Sequence, residues 1–593
     1  MIHCNHIGFL CNCRKRFVVS NSFAKYFEIQ DMGKNTKEAL KGLENWQAVY
    51  NGELMPCQTI MGNYLTGDFT NLMVPGVYRI VLPETDECSW QFIITDGAFH
   101  RLPRLLLDFI HDRRSGDFEN EWRCKSHLDD GLRSDNSEAF DASGGWYDAG
   151  DVRKFMAITH LPATGFIDLI EQLDLTWNHF AGEGVSPNDL VTETIWAIRF
   201  MLKMRDPSTG MFYEEVGGGG NQLSHEDAFW WFENHSGCSG NNSQNYFSDN
   251  LSRSGDERFI RVSYNPIAQY VSQYILLRSA PHITTFLPSL ANECRTASFK
   301  SFVYTEKRKS NDPFHQWTSV RAWRLLAGIA LLKEELIERV SVVQMADDIM
   351  DLFDYQIAFW YQDGNRNRPY RGIVHAAQPL ISLVEYLHCY PDAPNSGRIR
   401  NALQACIDRY ILPLAKTSPF GIIPFGLFYK PETEGDLYRP FYSEFFFRFF
   451  MPDYTRMNHG LCGHWTSWAH ALALLGKWSN NKELYELAWD QLYWILGKNP
   501  LDSCVMSGIG YNNPMPHSRF HGTIPGGLCN GPRGDENDEI ILDLAHRAEW
   551  STTEYWNYPA ANMLMALACL LPRKIENEKK LGYISRARTS EKK

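Results

Sequence analysis

The chain has 593 residues, 44% of them hydrophobic and 22% charged, which excludes a disordered or fibrous protein and leaves room for one large domain beside a smaller one. Its net charge of -12, with no long basic run before the C-terminal tail, argues against a nucleic-acid partner. No run of about 18 apolar residues occurs, so no membrane span is expected.

Aromatic residues reach 13%, with 18 Trp, more than a core needs, and lean toward a cleft for a flat ligand. The 14 cysteines lie singly from Cys4 to Cys569 without C-x-x-C spacing, Cys11 and Cys13 being the one close pair. They read as reduced, buried small apolar residues. At the N-terminus the apolar patch Ile7 to Leu10 precedes Arg14-Lys15-Arg16, the reverse of a signal peptide. A cytoplasmic protein is expected.

In chain order, residues 1–100 carry short strand-like runs, Arg16 to Val19, Val77 to Val81 and Trp90 to Ile94, separated by turn residues such as Asn51-Gly52 and Pro75-Gly76. These predict a small β-sandwich. Residues 101–573 turn helical: Ile195, Ile198 and Leu202, then Trp468, Leu472 and Leu475, then Leu564, Leu567 and Leu571 keep one-face spacing. Long polar or Gly-rich stretches, Gly217 to Asn250 and Asn499 to Asp538, separate the helices and are where a site is expected. Residues 574–593 form a charged tail.

The most telling stretch is Asp141 to Asp151. Gly144, Gly145 and Gly150 permit tight turns there, so that Asp148 and Asp151 can face one point and together hold and deprotonate a water molecule. An Asx-rich surface turn or a calcium loop is the plainer reading of an isolated Asp-x-x-Asp. Trp146 and Tyr147 beside the pair favour a sugar site, where aromatic faces stack on the ring.

Cleaving a glycosidic bond takes a second carboxyl function across the bond, to protonate the leaving oxygen. Glu554 is the candidate, set among aromatics in Glu549 to Asn557 just ahead of an apolar helix at Ala560 to Leu571, with a dipole-complementing acid at a helix start as the alternative. His517 and Arg519, presented from the proline-stiffened Asn513 to Arg519, suit hydrogen bonds to sugar hydroxyls. A metal-dependent hydrolase using His225, Glu226 and Asp227 is a rival, but adjacent ligands converge poorly.

At these residues the chain resembles the family 9 glycoside hydrolases. His6-Ile7-Gly8-Phe9, Gly67-Asp68-Phe69 and Pro75-Gly76-Val77-Tyr78 are similar to that family's sandwich strands, and His127-Leu128-Asp129-Asp130 precedes its Gly-Gly-Trp-Tyr-Asp-Ala-Gly-Asp signature. Leu496 to Pro500 with Pro516-His517-Ser518-Arg519 resembles the second signature, which usually has two histidines before the arginine. Arg547 to Glu554 resembles the third, with Thr553 in place of the usual asparagine.

The resemblance implies a mainly α protein, an (α/α)6 barrel catalytic domain preceded by a small immunoglobulin-like β-sandwich. It implies an inverting O-glycosyl hydrolase with Asp151 as general base, Asp148 helping to hold the water and Glu554 as general acid, with Glu549 as fallback. His517 and Arg519 would bind sugar, together with Trp146 and Tyr147. The expected substrates are β-1,4-linked gluco- or glucosamino-oligosaccharides cleaved from chain ends. The alternatives are an endo-β-1,4-glucanase and a catalytically inactive carbohydrate-binding protein. No cofactor is expected, and a structural calcium ion is left open because some members bind one.

Overall fold

The computed structural model describes the chain except residues 33–45, 121–123, 174–183, 218–247, 255–256, 443, 455–457, 517–524, 543–549 and 574–593. Its first part is built by period-two burial. Along Gly76–Leu82 alternate residues are buried, so that Tyr78, Ile80 and Leu82 face a core while Val77, Arg79 and Val81 lean outward.

Ten strands make two sheets. β1 (Ile2–His3), β3 (Arg16–Val19), β7 (Gly62–Asp68) and β6 (Met55–Thr59) form one, in that order. β2 (Gly8–Phe9), β10 (Phe92–Ile94), β8 (Gly76–Leu82), β4 (Tyr26–Asp31) and β5 (Gln47–Glu53) form the other, with β9 (Glu87–Cys88) beside β8. Aromatic rings fill the space between them: Phe17 of β3 meets Phe27 of β4 edge-on at 5.0 Å, and Phe9 of β2 meets Phe69 at 5.4 Å. Gly67 opposes Phe17 in register, and a Cβ there would lie 2.2 Å from the ring, so only glycine admits Phe17.

Helices take over at Arg101. α1 (Arg101–His111) buries Leu102, Leu105, Leu106, Phe109 and Ile110, the i, i+3, i+4, i+7, i+8 stripe of one helical face. Then follow α2 (Pro162–Gln172), α3 (Pro187–Lys203), α4 (Pro266–Ile283), α5 (Pro288–Arg308), α6 (Thr318–Lys333) and α7 (Arg339–Met350). The last are α8 (Gln378–Cys389), α9 (Ser396–Cys406), α10 (Cys462–Ser479), α11 (Lys482–Ile495) and α12 (Asn557–Leu570). Proline at the first position of α2, α3, α4 and α5 presets φ where no intrahelical N–H is lost.

Six helices close on one another. α2 packs on α4, α4 on α6, α6 on α8, α8 on α10, α10 on α12, and α12 returns to α2. α3, α5, α7 and α11 back this ring from outside, α5 on α4, α7 on α6 and α11 on α10. In the chain, α3, α5, α7, α9 and α11 fall between successive ring members.

The loop ahead of α2 is framed by a small sheet in the order β11 (Leu132–Arg133), β14 (Phe259–Arg261), β13 (Glu215–Gly217) and β12 (Lys154–Phe155). No described helix is long and apolar enough to cross a membrane, and the described cysteines are free thiols.

Candidate active site

The Asp141 to Asp151 loop is held from below. Gly145 has φ of 71°, and a Cβ there would meet Phe200 at 2.6 Å and His160 at 2.8 Å, so the chain passes here only as glycine. Trp146 and Tyr147 then turn inward. Trp146 donates its indole N–H to Glu193 at 2.8 Å and lies parallel to His160, while Arg114 and His111 hold the Glu193 carboxylate. The Tyr147 hydroxyl pairs with Ser126 and with His127, each at 2.6 Å.

Both rings are fully buried, so neither offers a face to a sugar. This corrects the expected stacking role: the aromatic pair anchors the loop instead. Adjacency in sequence to the aspartates could not reveal which way the rings turn.

A buried charge cluster fastens the loop's flanks. Arg258 pairs with Asp130 and donates to the Val152 carbonyl, and Lys154 donates to the Ala142 carbonyl at 3.0 Å beside Asp130 at 3.6 Å. The Arg258 guanidinium drives the Asp130 carboxyl well below the usual carboxylate range against its own burial.

Asp148 and Asp151 face each other across one turn, closed by the Asp148 N–H on the Arg153 carbonyl at 2.8 Å. Asp151 is partly exposed and accepts the Arg153 N–H at 3.0 Å. Asp148 is buried; one oxygen accepts the Thr159 hydroxyl at 2.6 Å and the other the Trp556 indole N–H at 3.0 Å. Burial, and next the Asp151 charge, push the Asp148 carboxyl up to about 8. Glu215 on β13 is buried nearby and is raised to about 7, by desolvation first, with Arg153 opposing.

Glu554 arrives on a short extended segment. Its carbonyl accepts the Asn530 N–H at 2.7 Å, Tyr555 bridges Cys529, and Trp556, with φ -150° and ψ 140°, donates its N–H to Leu528 at 2.9 Å. Successive residues of such a segment point to opposite sides: Tyr555 turns to Phe109 and Arg113, whereas Trp556 reaches Asp148. Glu554, two residues before Trp556, is half-buried. Asn557 completes the seam: its N–H donates to the Asp148 carbonyl at 2.9 Å and its amide to the Tyr147 carbonyl at 2.9 Å and the Thr159 carbonyl at 3.2 Å.

The structure therefore brings Asp148, Asp151 and the Glu554 segment together at the N-terminal ends of α2 and α12, neighbours in the ring. His517, Arg519, Glu549 and the rival trio His225, Glu226 and Asp227 lie outside the described residues. Among the described residues no group of three or more His, Cys, Asp and Glu is arranged to hold a metal ion. Thr159, Trp556 and Glu215 are the site neighbours that sequence reading missed; the heavy aromatic run after Glu554 was the one available sign of Trp556.

Residues 100–257, which contain the paired aspartates, match the model of glycosyl hydrolase family 9. Over this segment the chain is similar to glycoside hydrolase family 9. A cellodextrinase from Butyrivibrio fibrisolvens is 26% identical over 225 residues, 35% of this chain and 39% of the length of that relative. Over 96% of this chain the fold is similar to that of a thermostable endoglucanase from Alicyclobacillus acidocaldarius, at 19% identity and TM-score 0.64, covering 99% of that structure. A metagenome-derived family 9 endoglucanase superposes with TM-score 0.69 at 15% identity over 96% of this chain and 99% of its own.

Proposed function

We propose that this chain hydrolyses β-1,4-glycosidic bonds of short glucan-type oligosaccharides with inversion. Asp151 acts as general base, Asp148 as its water-holding partner and Glu554 as general acid. The ring of six helices is read as a closed (α/α)6 barrel spanning residues 101–573, residues 1–100 as an immunoglobulin-like sandwich and 574–593 as a tail. The likeness to a cellodextrinase supports an oligosaccharide substrate.

The observation that carries the mechanism is the shared segment of Glu554 and Trp556. The Trp556 side chain ends on Asp148, and Glu554 stands two residues before it on the same segment. An inverting mechanism calls for roughly 6.5–9.5 Å between the acid and base carboxyls, room for a water. Asp151, oriented by the Arg153 N–H, would take the water's proton as it attacks the anomeric carbon. Glu554 would protonate the departing oxygen, general acid and base each contributing on the order of 10²–10⁴-fold.

Because Trp146 and Tyr147 are occupied in the core, sugar stacking falls to exposed rings. Phe314 and Trp317, 49% and 38% exposed just ahead of α6, are the candidates. Proton NMR of the first products tests the proposal: the α-anomer is expected initially, and an initial β-anomer overturns the assignment of all three carboxyls. An endoglucanase is the second reading, favoured by the fold's similarity to solved endoglucanases.

A further inference from the structure

Trp556 is an unusual residue to find against a catalytic carboxyl. Its ring is buried, edge-on to His459 at 5.5 Å and tilted over Tyr558 at 5.4 Å, and its one polar atom is spent on Asp148. Its backbone is fixed independently, through its own N–H on Leu528 and through Asn557 on Asp148, Tyr147 and Thr159. A rigid bicyclic side chain with both ends tied has a fixed length.

We infer that Trp556 is a positioning residue that spans from the segment bearing Glu554 to the loop bearing Asp148 and Asp151, and so sets the separation of acid and base. The inference rests on the proposed roles of those three carboxyls. Two consequences follow from the geometry. First, the Glu554 segment cannot drift away from the aspartate loop without breaking the indole bond, so the gap that the attacking water must fit is held constant. Second, the indole N–H and the Thr159 hydroxyl each donate to a different oxygen of Asp148 and hold the plane of its carboxyl. The donated bond also favours the ionised form of Asp148, so its loss raises the pH at which the carboxyl proton leaves.

Trp556→Phe keeps a ring of similar shape and deletes only the donor. The expected result is a fall in kcat of about 10-fold or more with KM within about 2-fold, since the sugar contacts are untouched. The alkaline break in stability against pH, which reports Asp148 without substrate, should move upward, and Thr159→Val should move it the same way. In the wild-type enzyme, the Trp556 indole N–H resonance, assigned through its contacts with the His459 and Tyr558 rings, should shift as pH passes about 8 and stay still in Asp148→Asn. If Trp556→Phe folds but turns over normally with an unmoved break, Trp556 is packing and the inference is wrong. If it does not fold, an indole resonance insensitive to Asp148 titration overturns the inference equally. Asp151→Ala separates the two claims: a dead Asp151→Ala beside a fully active Trp556→Phe sinks the spanning role and leaves the proposed function standing.

Discussion

Thr159 donates its hydroxyl to the buried carboxyl of Asp148 at 2.6 Å, and the Phe155 N–H donates to that same hydroxyl at 2.8 Å, so the chain from Asp148 to Thr159 closes on itself through one oxygen. A carboxyl so enclosed titrates late. Asp148 stands at about 8 in the fold against an ordinary value near 4. The folded state therefore holds one more proton than the unfolded chain between about pH 4 and 8, and stability from this group is full below that window and falls as pH rises through it. Asp148→Asn is expected to flatten the decline, which amounts to on the order of 1 kcal/mol per pH unit. Thermal melts of both proteins from pH 4 to 9 check this; parallel curves would remove Asp148 as the titrating group.

Asp151→Ala is expected to abolish turnover, by about 10³-fold or more, while oligosaccharide binding and melting temperature stay near normal, because the base is lost and the sugar contacts are not. Glu554→Gln is expected to be far more harmful on natural glycosides than on aryl glycosides with good leaving groups, whose departure needs little protonation. Equal losses on both, with Glu549→Gln showing the leaving-group dependence instead, would move the acid to Glu549.

Trp146 and Trp317 should part company. Trp146→Ala removes a fully buried ring and strips Glu193 of a donor, so a loss of about 3–5 kcal/mol of stability is expected, and Trp146→Phe should lower the melting temperature without changing KM. Trp317→Ala should leave stability alone and raise KM several-fold. A raised KM in Trp146→Phe would return Trp146 to the sugar.

Product analysis on cello-oligosaccharides, chitosan oligosaccharides and carboxymethyl cellulose decides the substrate. Release of single sugars or disaccharides from short chains is expected. An advantage of glucosamine oligomers that shrinks as salt is added would mark an acidic cleft at work. Rapid viscosity loss of carboxymethyl cellulose with little action on short chains would instead identify an endoglucanase.

What could be read in the sequence was what is encoded locally. The alternation along Val77 to Val81 became β8, the leucines after Leu102 became α1, and the glycines around Asp148 did build a turn that brings two carboxyls together. What could not be read depends on distant partners. Trp146 and Tyr147 look like sugar platforms beside Asp148 until Glu193 and His127 are seen to claim them. Trp556 lies 408 residues from Asp148, and no local pattern links them. The segment from Ala560 shows helical spacing, but α12 begins at Asn557, because the Asn557 amide is used on the aspartate loop.

The docking of the first strands has a further consequence. His6 donates its backbone N–H to Leu496, its ring meets Asp502 at 2.9 Å, Trp90 donates to Asp502 at 2.6 Å, and Trp90 stacks on Tyr511 at 4.0 Å. All of these grip residues 496–511, the stretch that leads directly to Pro516 and the His517 motif. The sandwich is thus a splint on the connection between α11 and that motif, and not a detachable module. Cutting the chain near residue 97 would free that connection from its support, so the proposed activity should fall although Asp148, Asp151 and Glu554 all lie in the remaining chain.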